Sequence, residues 1–427
     1  MAVLYTCESC GRQFRTDEVV YRCPDCAPVG AGAAPGPSAA ASPGFQRGNL
    51  SVVFEPSVPI PQGVPVDPLS FLPLSVRHAA AYPVGGTPLV RPERLRERTG
   101  LPRLFLKLDS ANPSGSLKDR ASLLVTEQAK QHGLDTATLA STGNAGASMA
   151  CAGAACGLTV VLFVPGSAPR AKLLQSLMYG ARVVPIQGTY DDAFALSIEY
   201  TASFGGINRN TGFNPFTVEG KKTVSIELYN QLGCLVPDVV YVPVGDGVIF
   251  SGACKGFADL MQAGLTGKMP VMVAVQAEGS NAIARSWREG REVVLQRPST
   301  IADSLSVASP ACGRMALSWL ARTGGRAVEV SDWEIAGAQA ELGKDAGAFV
   351  EPSSAAAWAG FLKDRANVNP EATVVVLLTG TGFKDTGAAE NLVSMPEPCP
   401  PDLSHARELL ARYYGLAPEL RRSVTPG

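Results

Sequence analysis

From Leu104 to Thr379 the chain repeats one unit: a strand-length apolar run, a glycine-bearing turn, then a stretch with helical spacing. The runs place strands at about 104–109, 137–141, 158–164, 181–187, 238–244, 271–276, 326–330 and 373–379. Most are continuously apolar rather than alternating. Strands covered on both faces read that way, and such strands belong to parallel sheets lying between helices. The stretches between them read as helices at about 117–132, 145–156, 170–179, 190–204, 219–232, 249–264, 281–289, 312–323, 332–344 and 353–365. The fold class is therefore α/β. In an open α/β sheet the ligand lies beyond the carboxyl ends of the strands, so the turns after them are where chemistry is expected.

At 427 residues there is room for two domains, or for one large α/β domain carrying an insertion. Lys and Arg number 37 against 38 Asp and Glu, a net charge of −1. No cationic excess is left for a phosphate backbone, so nucleic acid is not an expected partner. The longest apolar runs, such as Thr373 to Leu378, have strand length, and no membrane span is expected. Ten cysteines in a long chain without an apolar leader read as thiols of a cytoplasmic protein.

Cys7, Cys10, Cys23 and Cys26 form two Cys-x-x-Cys knuckles twelve residues apart. That spacing lets four thiolates meet one tetrahedral Zn²⁺, a structural site in a small ribbon over residues 1–27. A pair of redox dithiols is the alternative, but no βαβ pattern surrounds them. Residues 28–48 are Ala, Gly, Pro and Ser with almost no charge, the composition of a flexible linker. The Pro-rich segment 50–101 reads as irregular, and its Gly85-Gly86-Thr87-Pro88-Leu89 turn leads into the repeating region. Beyond Met395 the chain is proline-rich and then carries one charged helix at about 402–414. The other six cysteines read as small core residues, except Cys399 in the tail.

Four turns hold unusual residues. Asn112-Pro113-Ser114-Gly115-Ser116-Leu117-Lys118-Asp119-Arg120 puts a lysine in the first turn of a helix, where free N–H groups make the potential positive. A cation is misplaced there unless it loses its charge, for instance as an imine with an aldehyde. A solvated Lys-Asp-Arg at a helix start is the plainer alternative. Ser141-Thr142-Gly143-Asn144-Ala145-Gly146 offers hydroxyls and free amides to a carboxylate, or serves only as a helix cap. Pro243-Val244-Gly245-Asp246-Gly247-Val248-Ile249 can wrap a phosphate with its amides. Thr379-Gly380-Thr381-Gly382-Phe383-Lys384-Asp385 ends a buried strand in hydroxyls and glycines, able to meet a ring nitrogen.

In this order the four turns resemble the fold-type II pyridoxal-phosphate enzymes, and among them the threonine synthase family and the similar cysteate synthases. The resemblance covers about residues 84–400 and includes Asn214-Pro215, Glu219-Gly220-Lys221-Lys222-Thr223 and Val350-Glu351-Pro352-Ser353-Ser354-Ala355-Ala356. It implies a tryptophan synthase β-like, two-domain arrangement of parallel sheets, pyridoxal 5′-phosphate as cofactor, an amino-acid substrate and a homodimer. The large cofactor domain is expected at 49–136 and 236–400, the small substrate domain at 137–235, and a helix and tail at 401–427. By the same resemblance Lys118 carries the cofactor and moves the α-proton, and Asn144 bonds its ring hydroxyl. Gly245, Asp246, Gly247, Val248 and Ile249 hold its phosphate, and Thr379 faces its ring nitrogen. Ser141, Thr142, Gly143 and Ala145 surround the substrate.

The chain departs from that family where its members bind the substrate's phosphate. The usual Asn-Ser-x-Asn-Pro-x-Arg is here Thr211-Gly212-Phe213-Asn214-Pro215-Phe216-Thr217, so Thr217 stands at the arginine position of the substrate site. Losing such a charge-assisted contact costs about 1.5–3 kcal/mol per hydrogen bond. Ala145 replaces a threonine and Thr381 a histidine. The expected activity is elimination or replacement at the β- or γ-carbon of an amino acid other than O-phosphohomoserine, including a cysteate-synthase-like β-replacement through aminoacrylate. Two alternatives remain open: a threonine synthase in which Arg209, Lys221 or Lys222 supplies the missing charge, and a cofactor-retaining binding or regulatory protein. Glu278 and Asp303 read as solvated or capping carboxylates.

Overall fold

The computed structural model describes residues 4–15, 21–27, 47–53, 61–80 and 82–416. Residues 28–46 of the expected linker and 417–427 of the expected tail lie outside them. Two compact units are formed, Met1–Thr386 and Gly387–Gly427. The first ends before the boundary expected at 400. Near its end Thr381 N–H donates to the Gly115 carbonyl and Gly382 N–H to the Phe349 carbonyl, both 3.0 Å, and Lys384 Nζ donates to Gln175 Oε1. The second unit carries the helix Leu403–Tyr414, capped by the Asp402 carboxylate, which accepts from the Ser404 and His405 amides.

The strands, in chain order, are β1 (Leu4–Cys7), β2 (Gln13–Arg15), β3 (Leu50–Val53), β4 (Leu89–Val90), β5 (Leu104–Leu108), β6 (Thr136–Ala140), β7 (Thr159–Pro165), β8 (Arg182–Ile186), β9 (Ile207–Asn208), β10 (Val239–Pro243), β11 (Val271–Ala277), β12 (Arg326–Val330) and β13 (Val374–Leu378). They build a six-stranded sheet of order β12-β11-β10-β13-β5-β4, a four-stranded parallel sheet of order β8-β7-β6-β9, and a three-stranded antiparallel ribbon β2-β1-β3. Only β4 runs antiparallel in the large sheet. Every strand expected from an apolar run is present. The reason is visible in β10 and β13: Val240, Val242, Val375 and Leu377 enter one buried cluster with Phe250 and Phe257. Their neighbours Val239, Tyr241, Val374 and Val376 enter another with Trp358 and Phe361. Both faces are dry, so no polar alternation survives.

Three expectations need correction. β3, expected in the large domain, pairs with β1 in the ribbon, because Leu50 and Val52 are buried beside Tyr5 and Cys7. The helix Lys118–Gln131, also expected there, buries Leu123, Leu124 and Val125 with Ala137 and Leu139 of the four-stranded sheet. The helix Thr223–Gln231, expected in the small domain, buries Val224, Ile226 and Leu228 beside Phe250 and Phe257 on the large sheet. The helices crossing between the sheets therefore pack by face rather than by chain order. The segment expected to be irregular also contains the helix Glu93–Thr99, which buries only Leu95 and ends at Gly100 with φ +63°. One apolar contact is too few to show as periodicity.

The solvated reading of Lys-Asp-Arg fails, because Asp119 and Arg120 are buried. Arg120 bonds Asp109 through Nε and Nη2 at 2.7 and 2.8 Å, and Glu227 through Nη1 and Nη2 at 2.7 and 2.8 Å. Lys107 Nζ donates to Glu227 Oε2 at 2.8 Å. Gly86 N–H donates to Glu227 Oε1 at 3.0 Å, and a Cβ on Gly85 would lie 2.4 Å from that oxygen, which is why two glycines precede Thr87. Burial alone would raise the Glu227 carboxyl, but Arg120 and then Lys107 bring it down to about 2. Lys222 and Lys255 are likewise paired with Glu219 and Asp259. Lys221 differs: it is fully buried and its amine has no hydrogen-bond partner. Burial holds that amine well below the ordinary lysine range, and Lys118 pushes it further.

Arg120→Met strands two buried carboxylates and is expected to lower unfolding stability by about 3–5 kcal/mol. In the parent, the Glu227 contribution is complete above its unfolded pKa and is lost as pH falls from about 4.5 towards 2, read from denaturation midpoints across that window. Lys221→Met acts the other way. The unfolded chain binds the proton that the folded chain rejects, so the variant is expected to gain about 1–3 kcal/mol at neutral pH. That gain shrinks as pH rises towards the unfolded lysine pKa, and denaturation midpoints at neutral and alkaline pH check it.

Candidate active site

Lys118 is the first residue of its helix and sits where the strand-end turns meet. Leu117 N–H donates to the Thr379 carbonyl at 2.8 Å, and Ser116 bridges Gly380. Gly115 has φ +86°, and a Cβ there would lie 2.8 Å from Thr381 Cγ2, so this turn closes only around a glycine. Asp119 locks it from within, accepting from the Ser114 amide at 2.7 Å and the Ser114 hydroxyl at 2.6 Å.

These turns enclose a cavity of about 410 Å³. Its wall brings together Lys118, Asn144, Gly245, Asp246, Gly247, Ile249 and Thr379. Val248 is outside it, turned into the core while its N–H donates to Asp246 Oδ1 at 3.0 Å. Among the described residues nothing hydrogen-bonds the Lys118 amine. Burial pushes this amine below the ordinary lysine range, and Arg209 adds to that against the pull of Asp246 and Glu351. A neutral, unengaged amine is what imine chemistry needs.

The same wall contains Glu351, Ser304 and Ser353, for which no motif in the sequence indicates a role. Asn144 Nδ2 donates to both Glu351 oxygens at 2.9 and 3.0 Å and to Ser304 Oγ at 3.2 Å. Burial raises the Glu351 carboxyl, with Asn144 opposing. One signal was available in the sequence: an acid placed just before Pro352 at the head of an Ala-rich helix, Pro352–Asp364, that carries no charge before Lys363.

A wider cleft of about 1480 Å³ opens from Lys118. Ser141, Thr142, Gly143, Asn144 and Ala145 line it, facing Tyr190, Thr211 and Ala311. Ser141 Oγ accepts from the Gly143 and Gly146 amides at 3.3 and 3.0 Å, so this hydroxyl helps to hold the start of the helix. Asp303 reaches the cleft and pairs with Lys172 at 2.8 Å, whereas Glu278 lies outside with Lys363 at 3.4 Å.

Thr217 does not join the site. It is fully buried, donating to the Asn214 carbonyl at 2.7 Å and accepting from Gly212 N–H at 3.1 Å, so its hydroxyl is spent on the turn. Of the cations offered as substitutes, Lys222 is consumed by Glu219 and Asp259, and Lys221 lies beneath the surface. Arg209 is buried behind the cleft and donates to Thr211 Oγ1 at 2.6 Å.

In the ribbon the Cys7, Cys10, Cys23 and Cys26 sulfurs all lie within 4.8 Å of one another, and Cys10 and Cys23 are 3.9 Å apart. Tetrahedral Zn–S bonds of about 2.3 Å require sulfurs about 3.8 Å apart, so the cluster can hold a metal.

The family described as pyridoxal-phosphate dependent enzyme matches residues 80–380. A threonine synthase of Methanosarcina acetivorans is 32% identical over 95% of this chain and 98% of its own length. One of Mycobacterium tuberculosis is 36% identical over 74% of this chain and 87% of its own. Among solved structures, maize serine racemase superposes with a TM-score of 0.63 at 22% identity, covering 74% of this chain and 94% of its own, and shares the fold. The cavity fits the family's cofactor. Its amine is unengaged, and Gly247 (φ +86°) holds a backbone cradle in which a Cβ would lie 2.7 Å from the Cys312 carbonyl. The cradle opens a fifteen-residue helix, Val248–Gln262. With residues, packing and relatives in agreement, the chain belongs to the fold-type II pyridoxal-phosphate enzymes and is a lyase or synthase of the threonine synthase family.

Proposed function

We propose that this enzyme eliminates or replaces a β- or γ-substituent of an amino acid other than O-phosphohomoserine. The observation that carries this is the turn from Thr211 to Thr217. Where the family places an arginine, Thr217 is sealed into the turn, and Gly212 brings the backbone against Ala311. Among the described residues no lysine or arginine side chain lines the wall formed by Thr211, Ala311, Tyr190 and Phe194, and Lys118 and the carboxylates Asp191, Asp246 and Asp303 are the charged groups of the cleft. A dianionic phosphate has no strong counter-charge there beyond Lys118.

When bound, the cofactor supplies an electron sink for charge developing at the substrate's α-carbon. The amides of Gly245, Asp246, Gly247 and Ile249, with the helix behind them, would hold its phosphate without an ion pair. Thr379 offers the ring nitrogen a hydroxyl instead of a carboxylate, which does not enforce protonation and favours expulsion of a leaving group. The Ser141–Ala145 turn binds the substrate carboxylate at a helix N-terminus. Lys118 would hold the cofactor and serve as the base for the α-proton, a role suited to an amine whose basicity burial has lowered. Asn144, oriented by Glu351 and Ser304, would bond the ring hydroxyl.

We further assign zinc to the cysteine cluster, on the donor set and spacing. A cytoplasmic, reducing setting is supported by ten unpaired cysteines, and a homodimer by the family resemblance. A threonine synthase is the second reading, favoured by the names of its relatives.

Steady-state assays with O-substituted serines and homoserines decide between them. Turnover of an O-substituted serine, with threonine formation from O-phosphohomoserine at least about 10³-fold less efficient, is the expected result. Efficient threonine formation overturns the proposal. Lys118→Ala is expected to stay folded, to lose turnover by about 10³-fold or more, and to yield no pyridoxyl-labelled peptide after borohydride reduction.

A further inference from the structure

The ribbon touches the catalytic cleft from behind. Asn49, buried between the second knuckle and β3, donates through Nδ2 to the Ala311 carbonyl at 3.1 Å, the Gly212 carbonyl at 3.3 Å and Cys312 Sγ at 3.4 Å. Gly212 and Ala311 belong to two separate loops, one after β9 and one ahead of the helix Gly313–Arg322. Thr211 and Ala311 line the cleft on the other side of that contact. The two loops meet at Gly212, which has φ +75° and where a Cβ would lie 2.7 Å from Ala311 Cβ. Neither loop could take this path with a side chain at Gly212.

Asn49 is in turn fixed to the cysteines. Its carbonyl accepts from Glu8 N–H at 2.9 Å, between Cys7 and Cys10. The preceding Gly48 carbonyl accepts from Cys23 N–H at 2.9 Å, and a Cβ on Gly48 would lie 3.0 Å from Ala27 N. Beside the second knuckle, Tyr21 Oη accepts from Asn208 N–H at 2.8 Å, and its ring stacks on Phe213 at 4.8 Å. Phe213 meets Phe194 edge-on at 6.5 Å, and Phe194 lines the cleft. Cys312 N–H donates to the Asp246 carbonyl at 2.9 Å, so the second loop is also tied to the cofactor cradle.

We propose that the four-cysteine ribbon is a brace for the substrate wall, and that Asn49 is the positioning residue through which it holds the loops at 210–213 and 311–312. The metal fixes the two knuckles, and the knuckles fix Gly48, Asn49 and Tyr21. These residues set where Thr211, Ala311 and Phe194 stand relative to Lys118. A ribbon that only stabilised the chain would need no side chain shared by two cleft loops.

Hydrogen exchange of the holoenzyme tests this without a substrate. Asn49→Ala, and the parent stripped of metal by a chelator, are expected to raise exchange in peptides covering 208–216 and 309–314 by about tenfold, the effect of one net hydrogen bond. Exchange in β10, β11 and β13 and the visible absorbance of the cofactor are expected to stay unchanged. With whichever amino acid turns over, KM rises about tenfold while kcat stays within about twofold. Unchanged exchange in both peptides overturns the proposal, as does an increase spread evenly over the sheet core. If Asn49→Ala does not fold, Tyr21→Phe removes one acceptor alone. It is expected to raise exchange in the Asn208 peptide, and no change there is equally decisive. The exchange result stands whichever substrate is found, so it fails or holds independently of the reading above.

Discussion

A guanidinium two residues past the reactive lysine governs this molecule. Arg120 holds Asp109 at the end of β5 and Glu227 on the helix Thr223–Gln231, while Lys107 holds the same glutamate from within β5. The cluster joins β5 and the helix Thr223–Gln231, both in the large-sheet half, to the Lys118–Gln131 helix, whose other face packs on the small sheet. Charges this deep are costly to desolvate and add little net stability over a well-packed apolar core, but they allow only one geometry in which every partner is satisfied. That geometry fixes the start of the Lys118 helix, and with it the point where the amine emerges between the two sheets.

From that point the site is assembled by close backbone approach more than by side chains. Gly115 against Thr381, Gly247 against Cys312 and Gly212 against Ala311 are contacts in which a methyl group would not fit. Such contacts are short and stiff, and they leave the polar work to a few groups: one amine, one amide held by a carboxylate, two hydroxyl-bearing turns and a helix end. The cofactor end of the cavity keeps this economy intact. At the substrate end the turn that would carry a cation is bonded to itself.

Much of this was legible in the sequence. Buried parallel strands print as unbroken apolar runs, and their ends fall within a residue or two of the expected positions. The four turns around the cavity were found because glycine and hydroxyl residues after such runs have few other reasons to be there. What stayed hidden depends on partners far away in the chain. β9 is two residues long and β4 is two, below any pattern. β3 reads as the start of a new domain until Leu50 and Val52 meet Tyr5 and Cys7. Thr217 looked like a substrate residue because a family position was carried over, and only the bonds to Asn214 and Gly212 show where its hydroxyl goes. Glu351 gains its place through Asn144, 207 residues away in the chain.

The span between Asn49 and Ala311 is 262 residues. At a synthesis rate of about 5–20 residues per second, the N-terminal thiolates emerge on the order of 10 to 50 s before their distant loop exists. The four cysteines are close in sequence and can meet early, while the contact that the ribbon later makes is among the least local in the chain. The frame for the cofactor closes later still, because Thr379 emerges after Ala311, so both parts of the site form against a piece that is already in place.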